Sequence, residues 1–146
     1  MTNLILALIA IESGGNNQAI GDHQLAVGCL QIRREVIEDV NRIYSTRYSR
    51  FDCFDRLASI NICRLYLYHY GSKLPAPASV EDLARIWNGG PTGWKKPSTK
   101  PYWAKVQQIL TCVSADARKS SKRPRQSQSR KLKSAATSRS ALAKKR

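Results

Sequence analysis

The sequence is short of acidic residues, of histidine and of long apolar runs, and each shortage removes a class of protein. Against 25 Lys and Arg stand 10 Asp and Glu, a formal net charge of +15 at pH 7, so any partner is expected to be anionic. No apolar stretch approaches the roughly 20 residues that cross a bilayer, and no period repeats along the chain, which excludes spanning helices and repeat arrays. His23 and His69 are the two histidines, and the four cysteines lack a Cys-x-x-Cys spacing. That pattern offers no zinc-ligand set, so no metal and no cofactor is expected. Cys29, Cys53, Cys63 and Cys112 read as buried thiols, or as a pair such as Cys53 with Cys63 in an oxidising compartment. No stretch alternates apolar and polar residues long enough to demand an extended sheet.

What is present is enough for one modest core: 146 residues, 42% of them hydrophobic. The charge is unevenly placed. Residues 1–114 carry 13 basic and 9 acidic side chains, a net of +4, whereas residues 115–146 carry 12 basic and 1 acidic, a net of +11. The second stretch has no aromatic residue and only Leu132 and Leu142 as large apolar side chains. It cannot bury enough surface to offset its ordering entropy. The organisation expected is therefore a folded domain over 1–114 and a disordered basic tail over 115–146. Such a tail can hold an anionic envelope polymer, bind nucleic acid through phosphates, or remain a solvated extension.

The folded part reads as mainly α. Residues 1–11 are apolar nearly all round and run straight into Glu12-Ser13-Gly14-Gly15, which fits a buried helix stopped by glycine better than a secretion signal. Ile32, Val36, Val40 and Ile43 mark a second, amphipathic helix with Arg33, Arg34, Glu38, Asp39 and Arg42 on its solvent side. Phe54, Leu57, Ala58, Cys63, Leu65 and Leu67 mark a third, ending at Gly71. Ser79 with Asp82 makes a variant capping box for a fourth that Asn88-Gly89-Gly90-Pro91 ends. Pro101 suits the first turn of a fifth, followed by Tyr102, Val106, Ile109, Leu110 and Val113. Between Gly21 and Gly28, turn residues at both ends fit a short β-hairpin.

Glu12 is the residue most suggestive of chemistry. At the end of an apolar helix, poor solvation and the negative pole of the helix dipole both disfavour its ionised form. A carboxylic acid that keeps its proton near neutrality is what cleavage of a glycosidic bond requires. Around it stand Glu12-Ser13-Gly14-Gly15-Asn16, Gly21-Asp22, Gly28-Cys29-Leu30-Gln31-Ile32, Ile86-Trp87-Asn88-Gly89-Gly90-Pro91 and Tyr102-Trp103-Ala104-Lys105-Val106, in that order. In this order and over about residues 3 to 110 the chain resembles the superfamily of SLT lytic transglycosylases and goose-type lysozymes.

The resemblance implies a lysozyme-like single domain acting at the bacterial cell wall on peptidoglycan, at the β-1,4 bond between N-acetylmuramic acid and N-acetylglucosamine. It makes Glu12 the general acid and base. It places Ser13 beside that acid, Gln31 against the glycan with Gly28 allowing close approach, Trp87 and Asn88 in the sugar cleft, and Tyr102 within reach of the Glu12 carboxyl. Asp22 matches an aspartate of goose-type lysozymes that helps place the attacking water, while Arg33 stands where those enzymes carry another aspartate. Cys29-Leu30 replaces the usual Leu-Met, and Trp87 stands where Tyr is common.

Two products follow from the two readings of Asp22. If it holds a water, at a carboxyl separation of about 6.5 to 9.5 Å, the bond is hydrolysed with inversion. If it only orients substrate or stabilises its own loop, the substrate completes the reaction as a 1,6-anhydro sugar, with Glu12 acting first as acid and then as base. Arg33 tilts the expectation toward the anhydro product. A monomer is expected. The alternative from another class is a non-catalytic basic protein that binds nucleic acid or the cell envelope on an inert lysozyme-like domain.

Overall fold

The computed structural model describes residues 1–121, and side chains up to residue 112. Helix α1, Thr2–Ser13, buries Leu4, Ile5, Ala7, Leu8 and Ile9, as an all-round apolar helix must. Gly14 ends it in the left-handed conformation at φ 62°, its amide donating to the Ala10 carbonyl and the Gly15 amide to that of Ile9. Three two-residue strands follow: β1 (Ile20–Gly21), β2 (Ala26–Val27) and β3 (Ile32–Arg33). They pair antiparallel in the order β1-β2-β3, with Ile20 opposite Val27 and Val27 opposite Ile32. The hairpin expected between Gly21 and Gly28 is there, with a strand more than its turn residues announced.

That added strand corrects the expected start of the second helix. Ile32 belongs to β3, and helix α2 covers Arg34–Tyr44. Ile32 keeps the helical spacing to Val36 only because the strand leads directly into the helix, and its side chain is buried against the same core. Helix α3, Arg56–Gly71, begins at Asp55, whose side chain accepts from the Ala58 amide. Phe54 lies before it in a 3-10 turn, Phe51–Phe54, and Leu57 points to solvent at 76% exposure. Helix α4, Val80–Gly89, starts on the Ser79 and Asp82 capping box with both reciprocal bonds made.

Helix α5 runs Lys100–Ser121 with Pro101 in its first turn. It continues beyond the domain end expected at residue 114, because Ala115 and Ala117 favour helix and the next proline waits at 124. The rest of the basic stretch, and with it the expected disorder and the partners of the tail, lies outside the described residues.

Residues Met1–Ser114 form a compact unit. Its core joins α1, β2, β3, α2, α3, α4 and Val106 of α5, with Leu8, Leu30, Ile62, Leu67 and Ile86 fully buried. Cys29, Cys53 and Cys63 are buried free thiols within it and Cys112 is an exposed one. Among the described residues no helix is long and apolar enough to cross a membrane.

Candidate active site

Glu12 occupies the last turn of α1, where the Gly14 turn leaves its side chain at the head of a cleft of about 630 Å³. From α5, Tyr102 reaches this carboxyl, its hydroxyl donating to Glu12 Oε1 at 2.6 Å. The end of α4 presents Trp87, whose side chain favours the ionised form of the same carboxyl. Burial raises the Glu12 pKa above the ordinary glutamate value; the Tyr102 bond, the Trp87 side chain and the Arg33 charge pull against that rise without reversing it. Tyr102 is itself pushed far up, by burial first and by the Glu12 charge second, so it stays a donor.

The cleft gathers Glu12, Asp22, Gln31, Trp87 and Asn88, drawn together by the fold from positions spread over residues 12–88, with Arg33, Glu35, Val36, Asp39 and Tyr66. Gln31 stands at φ 47° and donates from Nε2 to the Gly28 carbonyl at 3.0 Å. A positive φ at a non-glycine residue costs free energy that the surroundings must hold in place. Asp22, His23 and Gln24 are also at positive φ, and Arg50 fixes the loop by donating to the Gln24 carbonyl at 2.7 Å. Asp22 forms an ion pair with Arg33 in which both side chains stay partly exposed.

Two residues expected near the glycan have other tasks in this structure and do not line the cleft. Ser13 Oγ donates to the Cys29 carbonyl at 2.8 Å and accepts from the Gly15 amide at 3.2 Å. It ties the end of α1 to the turn after β2. Gly28 sits at φ 77°, where an added Cβ would come within 1.8 Å of the Cys53 carbonyl oxygen. The close approach that glycine allows there is to the protein's own backbone. Its carbonyl in turn holds Gln31, so both residues reach the cleft only by positioning others.

Sequence reading missed one wall and the floor. Glu35 and Asp39 lie four apart on α2 and both face the cleft, although Asp39 is a residue the helical pattern assigns to solvent. Its carboxylate accepts from the Tyr70 hydroxyl on α3 and pairs with Arg42. The four-residue spacing was the available signal. Tyr66 forms part of the floor, its ring edge-on to Trp87 at 6.0 Å.

A carboxyl whose pKa burial raises, at the end of a buried helix, over a polar cleft and beside a three-strand hairpin sheet, defines a lysozyme-like domain. The chain belongs to the family described as Transglycosylase SLT domain, whose model matches residues 1–110. It is 34% identical over 89 residues to a lysozyme of Meretrix lusoria, covering 60% of this chain and 70% of that protein. To a lysozyme of Magallana gigas it is 44% identical over 54 residues, 37% of this chain, and it spans only 39% of that relative's length. The fold is similar to a chain in the crystal structure of Aeromonas hydrophila PliI in complex with Meretrix lusoria lysozyme, at a TM-score of 0.66 and 26% identity over 75% of this chain and 89% of that one.

Proposed function

We propose that this chain cleaves the β-1,4 bond between N-acetylmuramic acid and N-acetylglucosamine in peptidoglycan at the cell wall, with Glu12 as general acid and then base. The observation that carries this reading is the half-buried Glu12 carboxyl at the head of the cleft, its pKa raised and its Oε1 occupied by Tyr102. Because Tyr102 donates, Oε1 must accept, which leaves Oε2 to carry the transferable proton. That proton passes to the leaving glycosidic oxygen as the bond breaks. The 6-hydroxyl of the muramyl ring then closes on the anomeric carbon and returns its proton to Glu12, giving a 1,6-anhydro end with all atoms accounted for.

Asn88 and Gln31 offer amide donors and acceptors to hydroxyl and acetamido groups, and Trp87 offers an aromatic face. The working unit in this reading is a monomer. The pairing of Asp22 with Arg33 favours the anhydro product, since the guanidinium competes with a water for that carboxylate. The second reading is hydrolysis with Asp22 placing the water, favoured by the lysozymes among the relatives and by the position of Asp22 on the cleft wall. Digestion of peptidoglycan in oxygen-18 water separates them: unlabelled anhydro ends are expected, labelled reducing ends would establish hydrolysis, and no new ends of either kind would refute cleavage altogether.

A further inference from the structure

Tyr66, on the inner side of α3, is 4% exposed and lines the cleft beside Asp39 and Trp87. Its ring is fixed on two sides, edge-on to Trp87 at 6.0 Å and against Tyr70 at 4.7 Å. Its hydroxyl takes no hydrogen-bond partner among the described residues. Burial raises its pKa, followed by the influence of Tyr70 and Asp39, and no hydrogen bond contributes. Yet no buried side-chain oxygen or nitrogen among the described residues is left sealed off without a partner, so this hydroxyl opens on the cleft. Tyr70, one turn further along α3, shows the contrast: its hydroxyl is committed to Asp39. A phenol hydroxyl that is open to a cleft and committed to no protein partner is available to a ligand that enters it.

We infer that Tyr66 is a substrate-binding residue whose hydroxyl bonds an uncharged hydroxyl or acetamido group of an amino-sugar ring lying on the cleft floor beside the scissile bond. A phenol both donates and accepts, as such a group does. The charge beside it selects against an anion. Burial works against ionised Asp39, but the bond from Tyr70 and the charge of Arg42 outweigh it and hold its pKa below the ordinary range. Glu35 adds a second carboxylate to that wall. The assignment rests on the glycan-cleaving reading of the same cleft.

Tyr66→Phe keeps the ring and its aromatic contacts and deletes the hydroxyl alone. Calorimetric titration with tetra-N-acetylchitotetraose, run on full-length Glu12→Gln and on the double variant with Tyr66→Phe, is expected to show about tenfold weaker binding in the latter at an unchanged melting temperature. On peptidoglycan, Tyr66→Phe alone is expected to lower kcat/KM by about as much while its pH profile stays in place. Equal affinities, no binding to either protein, or a loss matched by a fall in melting temperature would each overturn the assignment. A wild-type protein that cleaves nothing, yet binds the oligosaccharide in a Tyr66-dependent way, would end the cleavage reading and leave this one standing.

Discussion

Glu12 and Asp22 face one cleft from opposite surroundings. Glu12 leaves a buried helix, meets Tyr102 from α5 and Trp87 from α4, and has its charged form disfavoured by burial. Asp22 leaves a loop held at positive φ, reaches solvent, and meets the guanidinium of Arg33. Burial makes the Glu12 carboxyl hold its proton more readily than an ordinary glutamate does, while the Asp22 carboxyl stands in a partly exposed ion pair. The helical side of the cleft thus has the features of an acid, while the hairpin side holds a fixed ion pair on a constrained loop. Two residue types alike in a sequence become unlike through what the fold packs around them.

The comparison breaks most visibly at Glu12. Glu12→Gln keeps the size and the bond from Tyr102 but has no proton to give, so release of muropeptides from purified peptidoglycan should fall by about 10²–10⁴-fold, the usual worth of a general acid. The same variant reports on stability. A carboxyl whose pKa is raised by folding contributes stability below its unfolded pKa and loses it as pH rises through the folded value. Glu12→Gln should therefore melt above the wild type at neutral pH, with the gap closing in acid, as thermal scans across pH would read.

On the hairpin side the largest effect is structural. Gly28→Ala places a methyl against the Cys53 carbonyl at a positive φ, and should cost on the order of 3 kcal/mol or more in chemical denaturation. A variant of native stability would show that Gly28 is free of that contact. Tyr102→Phe removes a bond that lowers the Glu12 pKa, so the alkaline limb of kcat/KM should move to higher pH. Activity at the optimum should drop by about threefold to tenfold, as for one neutral hydrogen bond. The smallest change is expected from Arg33→Gln, since a pair this exposed is worth about 0–1 kcal/mol. Its use is chemical: with Asp22 released, oxygen-18 incorporation into the products should rise.

Much of the acid side was legible in the sequence because it depends on local rules. An apolar run closed by two glycines fixes where α1 ends, and therefore where Glu12 emerges. Ser79 and Asp82 fix the start of α4 and so the place of Trp87 and Asn88. The hairpin side and the floor were less legible, because their partners are distant in the chain. Ser13 and Gly28 lie within family-like motifs, yet the Cys29 and Cys53 carbonyls that explain them come from other segments. Asp39 fits a solvent-facing helical position until Tyr70 of the neighbouring helix bonds it. Ile32 satisfies both a helical period and a strand, and only pairing with Val27 decides.

The most direct test of the account is to titrate the Glu12 carboxyl itself, following its side-chain carbon-13 resonance against pH and setting the midpoint beside the alkaline limb of kcat/KM on peptidoglycan fragments. The account predicts a midpoint above the ordinary glutamate value of 4.5, a resonance missing from Glu12→Gln, and an activity limb that tracks the same midpoint and shifts with it in Tyr102→Phe. A midpoint at or below that value, with activity persisting well above it, would contradict the claim that Glu12 is the proton donor.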